Sequence, residues 1–398
     1  MKGKVSRLSL FIAVNHIFRF FSYTSMRYYG RWKMQYLRKI KRAILVECIL
    51  LVSLCIVWMA GILRDSICEE QTQAIEVGIF EEEKFIKWVE FNVSYEALCE
   101  AYKWDVETYK EAMEDKDAVH VDWIELLAYV GARHGGEFPS GIVSEIAKTA
   151  EKLKNKEAVM AELTKDMEYY AYYLEAYRAV LDGYVGEYEI QKASEDGKVE
   201  WQKCYGLKAF SPVAKGFEYS DYDDFGASRS YGYARPHLGH DMMGQVGTPI
   251  VAIESGYVEA IGWNQYGGWR LGIRSFEGKR YYYYAHLRQN FPYCKDLEEG
   301  SVVTAGQVIG YMGHTGYSKE ENVNNIKVTH LHWGLQLIFD ESQKDSNNEI
   351  WIDCYNLTRF LYKNRSETTK NTETKEWYRI YDMKDPAVER YKQSMDNR

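Results

Sequence analysis

The hydrophobic period of this chain changes once, around Asp196-Gly197, and no other feature constrains the fold as much. From about Glu70 to Gln191 the sequence is rich in Glu, Lys, Ala and Leu. Tyr95, Leu98, Tyr102 and Trp104 form one set of apolar residues at three- and four-residue spacing; Trp123, Leu126, Leu127 and Val130 form another. That spacing lines up side chains on one face of a helix. Gly135-Gly136 and Pro139 interrupt it, so two helical clusters are expected rather than one rod. Met160 to Leu181 gives a longer, Tyr-rich periodic stretch. Beyond Trp201 the runs are short and β-like: Pro249 to Ile253, Tyr257 to Ile261, Leu271 to Ile273, Tyr281 to His286 and Val308 to Tyr311. Glycines part them at intervals of roughly eight to twelve residues, which predicts an antiparallel β domain. The expected class is α+β, with a helical spacer or interaction region over 64–200 and a β domain over 201–362. The polar tail over 363–398 is expected to be flexible or to end in a loose helix around Val388 to Tyr391.

A second constraint lies upstream. The run from Ala43 to Leu63 is almost wholly apolar, with Glu47 near one end. At ~1.5 Å per helical residue it matches a hydrocarbon core of ~30 Å. A signal-peptide core is shorter and sits behind a brief basic start. Here a 42-residue leader precedes the run and no small-residue cleavage site follows, so 43–63 reads as an uncleaved transmembrane anchor. Residues 1–42 hold eleven Lys or Arg and no Asp or Glu, although the whole chain carries −8. Positive segments stay cytoplasmic. The expected protein is a single-pass component of a cell membrane, N-terminus inside and C-terminal domains outside. Val5 to Tyr23 is expected to lie along the inner surface, unless translation starts at Met26 or Met34. Topology and anionic headgroups account for the basic leader, so no nucleic-acid partner is expected.

Seven cysteines are scattered without a C-x-x-C, which argues against thiolate metal or redox motifs. Two histidine strings point elsewhere. His237-Leu-Gly-His-Asp241 places a His and an Asp four apart, and His330-Leu-His332 places two rings on one face of a strand. Zinc held by His237, Asp241 and His332 would keep one tetrahedral position open, the mark of a catalytic site. It would polarise water and a substrate carbonyl, with His286 and His330 left beside it for proton transfer and oxyanion stabilisation. Either string alone is common by chance and more often marks core or surface histidines. His120 and His134 have no companion at ligand spacing and are expected to be surface or satisfied groups.

The glycine framework makes the combination specific. Phe225-Gly-Ala-Ser-Arg229, Arg235-Pro-His-Leu-Gly-His-Asp241, Gly247-Thr-Pro-Ile-Val-Ala252 and Ser255-Gly-Tyr-Val258 come first. Tyr284-Ala-His-Leu287, Gly306-Gln-Val-Ile-Gly310, Gly313-His-Thr-Gly316 and His330-Leu-His-Trp333 follow. In this order, from about Tyr222 to Phe339, they resemble the lysostaphin-type (LytM-like) zinc endopeptidases that cut bacterial cell-wall peptides. The resemblance implies Zn2+ on His237, Asp241 and His332, His286 and His330 as the catalytic pair, and a small antiparallel β fold with an open groove. Two departures stand out: the insertion from Tyr317 to Thr329, which either borders the groove or is neutral, and His240, where the family commonly has an apolar residue.

The expected function is a membrane-anchored zinc endopeptidase acting on peptidoglycan stem or cross-bridge peptides. The competing expectation is an envelope or sporulation scaffold, or an activator of another wall hydrolase, with the helical region contacting a protein partner. Of the aromatic residues, half of Tyr281 to Tyr284 should face the core, and Trp263, Tyr266 and Trp269 should surround a hairpin turn at Gly267-Gly268.

Overall fold

The computed structural model describes residues 85–194, 196–230, 234–344 and 348–396. The expected anchor at 43–63 and its basic leader lie outside them. Among the described residues no helix is long and apolar enough to cross a membrane. Glu82–Arg398 forms one compact unit.

Helices come first: α1 Tyr95–Glu114, α2 Trp123–Arg133, α3 Ile142–Lys154, α4 Met160–Thr164 and α5 Tyr170–Leu181. Their starts are written in the sequence. Ser94 Oγ accepts from the Ala97 N–H at α1, and one Asp122 carboxylate oxygen accepts from the Ile124 and Glu125 N–H groups at α2. Both apolar sets face inward, with Leu98, Leu126, Leu127 and Val130 fully buried. Met160 to Leu181 is two helices rather than one, broken by a turn in which Met167 N–H bonds the Thr164 carbonyl. His120 and His134 are satisfied by Asp105 and Glu145, at 3.3 and 2.8 Å.

The helical expectation overran its end. Residues 185–191 belong to β1 (Val185–Ala193), which pairs along its whole length with β2 (Val199–Leu207) around the turn at Gly197. Tyr188 and Ile190 alternate with Glu187 and Glu189, a period of two that the surrounding Glu-rich composition obscures.

The site depends on one seven-stranded antiparallel sheet. Its strands are β5 His240–Met243, β7 Gly256–Asn264, β8 Gly268–Ser275, β9 Arg280–Ala285, β10 Val302–Val303, β12 His330–Leu337 and β13 Ile350–Ile352. The order is β10-β7-β8-β9-β12-β13, with β5 pairing the first half of β12. Short hairpins β3 (Ser228–Ser230) with β4 (Ala234–Pro236), and β6 (Pro249–Val251) with β11 (Val308–Tyr311), flank it. One face carries Tyr282, Tyr284, Leu331, Trp333 and Leu335, all buried. The helices back this face. Arg280 reaches the Ala179 carbonyl of α5, and Trp123 of α2 stacks on Phe360 of α6 (Tyr355–Leu361) at 5.7 Å. Trp333 Nε1 donates to Thr358 Oγ1 of α6. The helical region and the sheet thus share one hydrophobic core.

The C-terminal segment is folded, not a flexible tail. β14 (Thr368–Lys370) pairs β15 (Trp377–Arg379), β16 (Met383–Lys384) joins β1, and α7 spans Pro386–Asp396. Composition misled because few apolar anchors suffice. Met383 and Val388 are buried, Tyr391 stacks on Phe276, and Arg379 and Arg365 bind backbone carbonyls of Ala305 and Ala214. The helix expected around Val388 to Tyr391 lies within α7. The four described cysteines, Cys99, Cys204, Cys294 and Cys354, are free.

Candidate active site

Strand register assembles the site. On β12, His332 stands opposite Asp241 of β5 on one side and Ala285 of β9 on the other. Two strands thereby bring Asp241 and His286, 45 residues apart in sequence, to the same histidine. His330 shares the groove face with His332, two residues along the strand. His237 arrives from the loop after β4, pinned by its N–H to the Ala227 carbonyl and by its carbonyl to the Gly226 N–H. All five residues singled out from the sequence meet here.

Three of them converge. His237 Nε2 lies 3.1 Å from Asp241 Oδ1, His332 Nδ1 lies 2.9 Å from the same oxygen, and the two nitrogens are 3.0 Å apart. Ligands at ~2.0–2.1 Å from one tetrahedral ion are about 3.3 Å from each other, so this triangle has nearly the size of a zinc site. Its chemistry also asks for a cation. His237 Nδ1 faces the Asp224 carboxylate at 3.0 Å and the Asp224 carbonyl at 3.3 Å, both acceptors, so Nδ1 carries the proton and Nε2 offers a lone pair. Two imidazole nitrogens and a carboxylate oxygen then point at one spot, and His237, Asp241 and His332 are a group able to hold a metal ion. Burial works against the ionised Asp241 carboxyl, yet the His237 and His332 imidazoles packed against it hold it far below the usual carboxylate range. Burial lowers His332, and it lowers His286 more strongly, with His330 and His332 adding to the effect.

The remaining pair, His286 and His330, are each anchored to a backbone carbonyl. His286 Nδ1 donates to the Thr315 carbonyl at 2.9 Å, and His330 Nδ1 donates to the Val328 carbonyl at 2.8 Å. In each ring Nε2 is left for chemistry. His330 Nε2 points inward, 3.7 Å from Asp241 Oδ1, and the two ring centres are 4.7 Å apart. His286 has φ +61°, a left-handed backbone unusual for histidine, held by its N–H to the Gly267 carbonyl at 2.7 Å.

Three supporting residues escaped sequence reasoning. Asp224 orients His237 and is itself paired with Arg229, which also reaches Asp241 Oδ2 at 3.5 Å. Asp224 directly precedes the Phe225-Gly-Ala-Ser-Arg229 string, so its position was visible but its partner was not. Asp224→Asn should weaken zinc affinity about 10–100-fold, read by competition with a chromogenic chelator. An unchanged affinity would mean that backbone contacts alone orient the ring. Gly239 is required by space: a Cβ there would lie 2.6 Å from His332 Cε1 and Nε2. His240 serves elsewhere. It is buried, bonded to Asp221 at 2.8 Å, and faces Tyr355 on the core side of β5.

The site opens on a groove of about 650 Å³. Tyr281 and Tyr283 line it, whereas Tyr282 and Tyr284 turn inward, donating to Glu254 and accepting from the Ile253 N–H. Tyr266 borders the groove from the β7–β8 turn, as does Trp351 from β13. From the 317–329 insertion only Tyr317 reaches the lining; Asn322 instead ties the loop to Trp269 and Asn290. Among the described residues none of α1–α5 lines the groove.

Residues 235–348 match the model of peptidase family M23. The L-Ala--D-Glu endopeptidase of Bacillus subtilis (strain 168) is 37% identical over 146 residues, 37% of this chain and 41% of that protein. Lysostaphin of Staphylococcus simulans is 39% identical over 83 residues, 21% of this chain and 16% of that protein. The chain thus spans less than half the length of these relatives. A lytM structure from Ruminococcus gnavus aligns over 71% of this chain and 92% of that chain, at 22% identity and TM-score 0.44, too loose a likeness to bear on activity.

Proposed function

We propose that the chain, through the M23 metallopeptidase domain in residues 235–348, is a zinc endopeptidase of bacterial peptidoglycan that cuts stem or cross-bridge peptides outside the cytoplasmic membrane. The convergence of His237, Asp241 and His332 beside two further histidines, at the floor of an open groove, carries this reading. Similarity to an L-Ala--D-Glu endopeptidase and to lysostaphin supports the substrate class. The basic leader ahead of the apolar run 43–63 supports a single-pass anchor with the enzyme outside.

His237 Nε2, the Asp241 carboxylate and His332 Nδ1 are the atoms that would hold zinc. Bound there, the ion supplies a Lewis acid for the attacked carbonyl and lowers the pKa of water towards ~7. The protein's own part is positional. Asp224 and the Thr315 and Val328 carbonyls fix three imidazole tautomers before substrate arrives. Nε2 of His286 or His330 takes the proton of the attacking water and returns it to the leaving amine nitrogen. Once protonated, the ring also donates a hydrogen bond to the oxygen that gains charge. The tyrosine-lined groove seats an extended peptide across this pair.

The purified protein should contain one zinc per chain and release peptide fragments from peptidoglycan, with the bond identified by mass spectrometry. Chelation should abolish release and zinc should restore it, and His237→Ala should lose both metal and activity. Cleavage by a zinc-free His237→Ala protein would overturn the metal mechanism. A zinc-loaded but inert wild type would favour the scaffold or activator role.

A further inference from the structure

The groove holds positive charge that the hydrolytic residues do not use. Arg229 is neutralised by Asp224 and Asp241, and Lys344 by Glu259 at 2.8 Å. Arg235 and Arg270 also line the groove, and among the described residues neither forms an ion pair with a carboxylate. In a chain of net charge −8, carboxylates are not scarce. Two guanidiniums without a carboxylate partner on an open groove are available to an anion from outside.

Their setting is built. The Arg235 guanidinium lies 5.3 Å from the ring centre of Tyr266 and 5.7 Å from that of Tyr317, and Nη2 donates to the Tyr317 hydroxyl at 3.1 Å. This fixes the plane of the fork. Its Nε is buried without a hydrogen-bond partner among the described residues. Arg270 stands on the groove side of β8, opposite Gly262. Tyr283 lines the same groove, its hydroxyl accepting from Asn264 Nδ2 at 3.4 Å beside the turn that carries Tyr266. Burial pushes the Tyr283 phenol up, while the Asn264 hydrogen bond and the charges of Arg270 and Arg235 pull against it. The Tyr283 ring lies 6.0 Å from that of His332. Tyr283 therefore bridges the histidine of the metal group and the neighbourhood of the two arginines.

We infer that Arg235 and Arg270 form a carboxylate subsite, so that the groove takes a peptide bearing a free carboxylate close to the cut bond, an acidic stem peptide rather than a glycine bridge. The inference rests on the endopeptidase reading above. Tyr317 links the Arg235 fork, bonded to its hydroxyl at 3.1 Å, to the His286 ring 6.0 Å from its own, so at ~3.3–3.6 Å per extended residue the carboxylate falls within a few residues of the bond that is cut. The planar Arg fork matches a carboxylate in two parallel hydrogen bonds, which an amide cannot copy.

The test uses two short peptides that differ at one group: an internal γ-linked glutamate with a free α-carboxylate, and the same peptide as its α-amide. Each is made in a cleavable form and in a form whose scissile amide is replaced by a methylene-amine. Calorimetry on the uncleavable pair should show wild type binding the acid about tenfold or more tightly than the amide. Arg235→Gln and Arg270→Gln should each bring that ratio towards one, and kcat/KM for the cleavable pair should follow. Equal binding of acid and amide by wild type, or a ratio unmoved in both variants, would overturn the subsite. So would faster cutting of pentaglycine than of the acid. If the acid is bound selectively and neither cleavable peptide is cut, the subsite stands and the endopeptidase reading falls.

Discussion

His286→Asn and His330→Ala should each lower kcat by about 10²–10⁴-fold while zinc content and unfolding midpoint stay close to wild type. Both rings sit beside the metal group without belonging to it. Each is anchored through Nδ1 to a backbone carbonyl, Thr315 or Val328, so loss of the ring removes a proposed proton carrier and leaves the triangle of His237, Asp241 and His332 intact. Asparagine suits position 286 because it tolerates the left-handed backbone that His286 adopts at φ +61°. Metal analysis and calorimetric melting would accompany the kinetics. If zinc disappears together with activity, these histidines are ligands and the assignment of roles is wrong.

Arg280→Met should destabilise the folded unit by about 3–5 kcal/mol. Arg280 and Glu254 form a bidentate pair at 2.8 and 2.9 Å, with side chains 1% and 7% exposed. Tyr282 donates a further bond to Glu254 at 2.6 Å, and Arg280 donates to Glu277 and to the Ala179 carbonyl of α5. Removing the arginine leaves a carboxylate in the core with no charge to balance it. Glu254 is tightly enclosed on its Gly183 side, where even a Cβ would lie 1.7 Å from its Oε1. The double variant Arg280→Met/Glu254→Leu should recover most of the loss, because the desolvation cost goes with both charges. Urea titrations of wild type and the three variants decide this. A cost below about 1 kcal/mol for Arg280→Met would show that Glu254 is not left as an uncompensated buried charge.

These two sites differ in how far the sequence revealed them. His237, Asp241, His330 and His332 were legible because a turn and a strand each place two groups at fixed spacing, and His286 because it ends the Tyr-rich run from Tyr281. The alternation of Tyr281 to Tyr284 foretold that half of the rings would face the core, and these are Tyr282 and Tyr284. Arg280 and Glu254 were not legible. They are 26 residues apart, and nothing local says that an arginine beginning one strand will find a glutamate after another. Asp224 failed for the same reason, its partner being 13 residues away across a hairpin. Where the reading went wrong, composition had been weighed above period. The Glu-rich 185–191 stretch alternates and is a strand, and the polar 363–398 segment is fixed by a few buried or stacked side chains and by arginines on carbonyls.

The sequence by itself determined the secondary-structure grammar, the donor set for a metal and the face of β12 on which His330 and His332 lie, since these depend on periods of two and of three to four residues. The tertiary structure decided that Asp241 and His286 meet at His332, because only strand register selects which residues stand opposite one another. It also decided that the helices back the sheet rather than cover the groove, because the apolar face they needed is the one presented by Tyr282, Tyr284 and Trp333. Last, it left Arg235 and Arg270 without carboxylate partners among the described residues, a matter of where charges fall in space that no count of them could show.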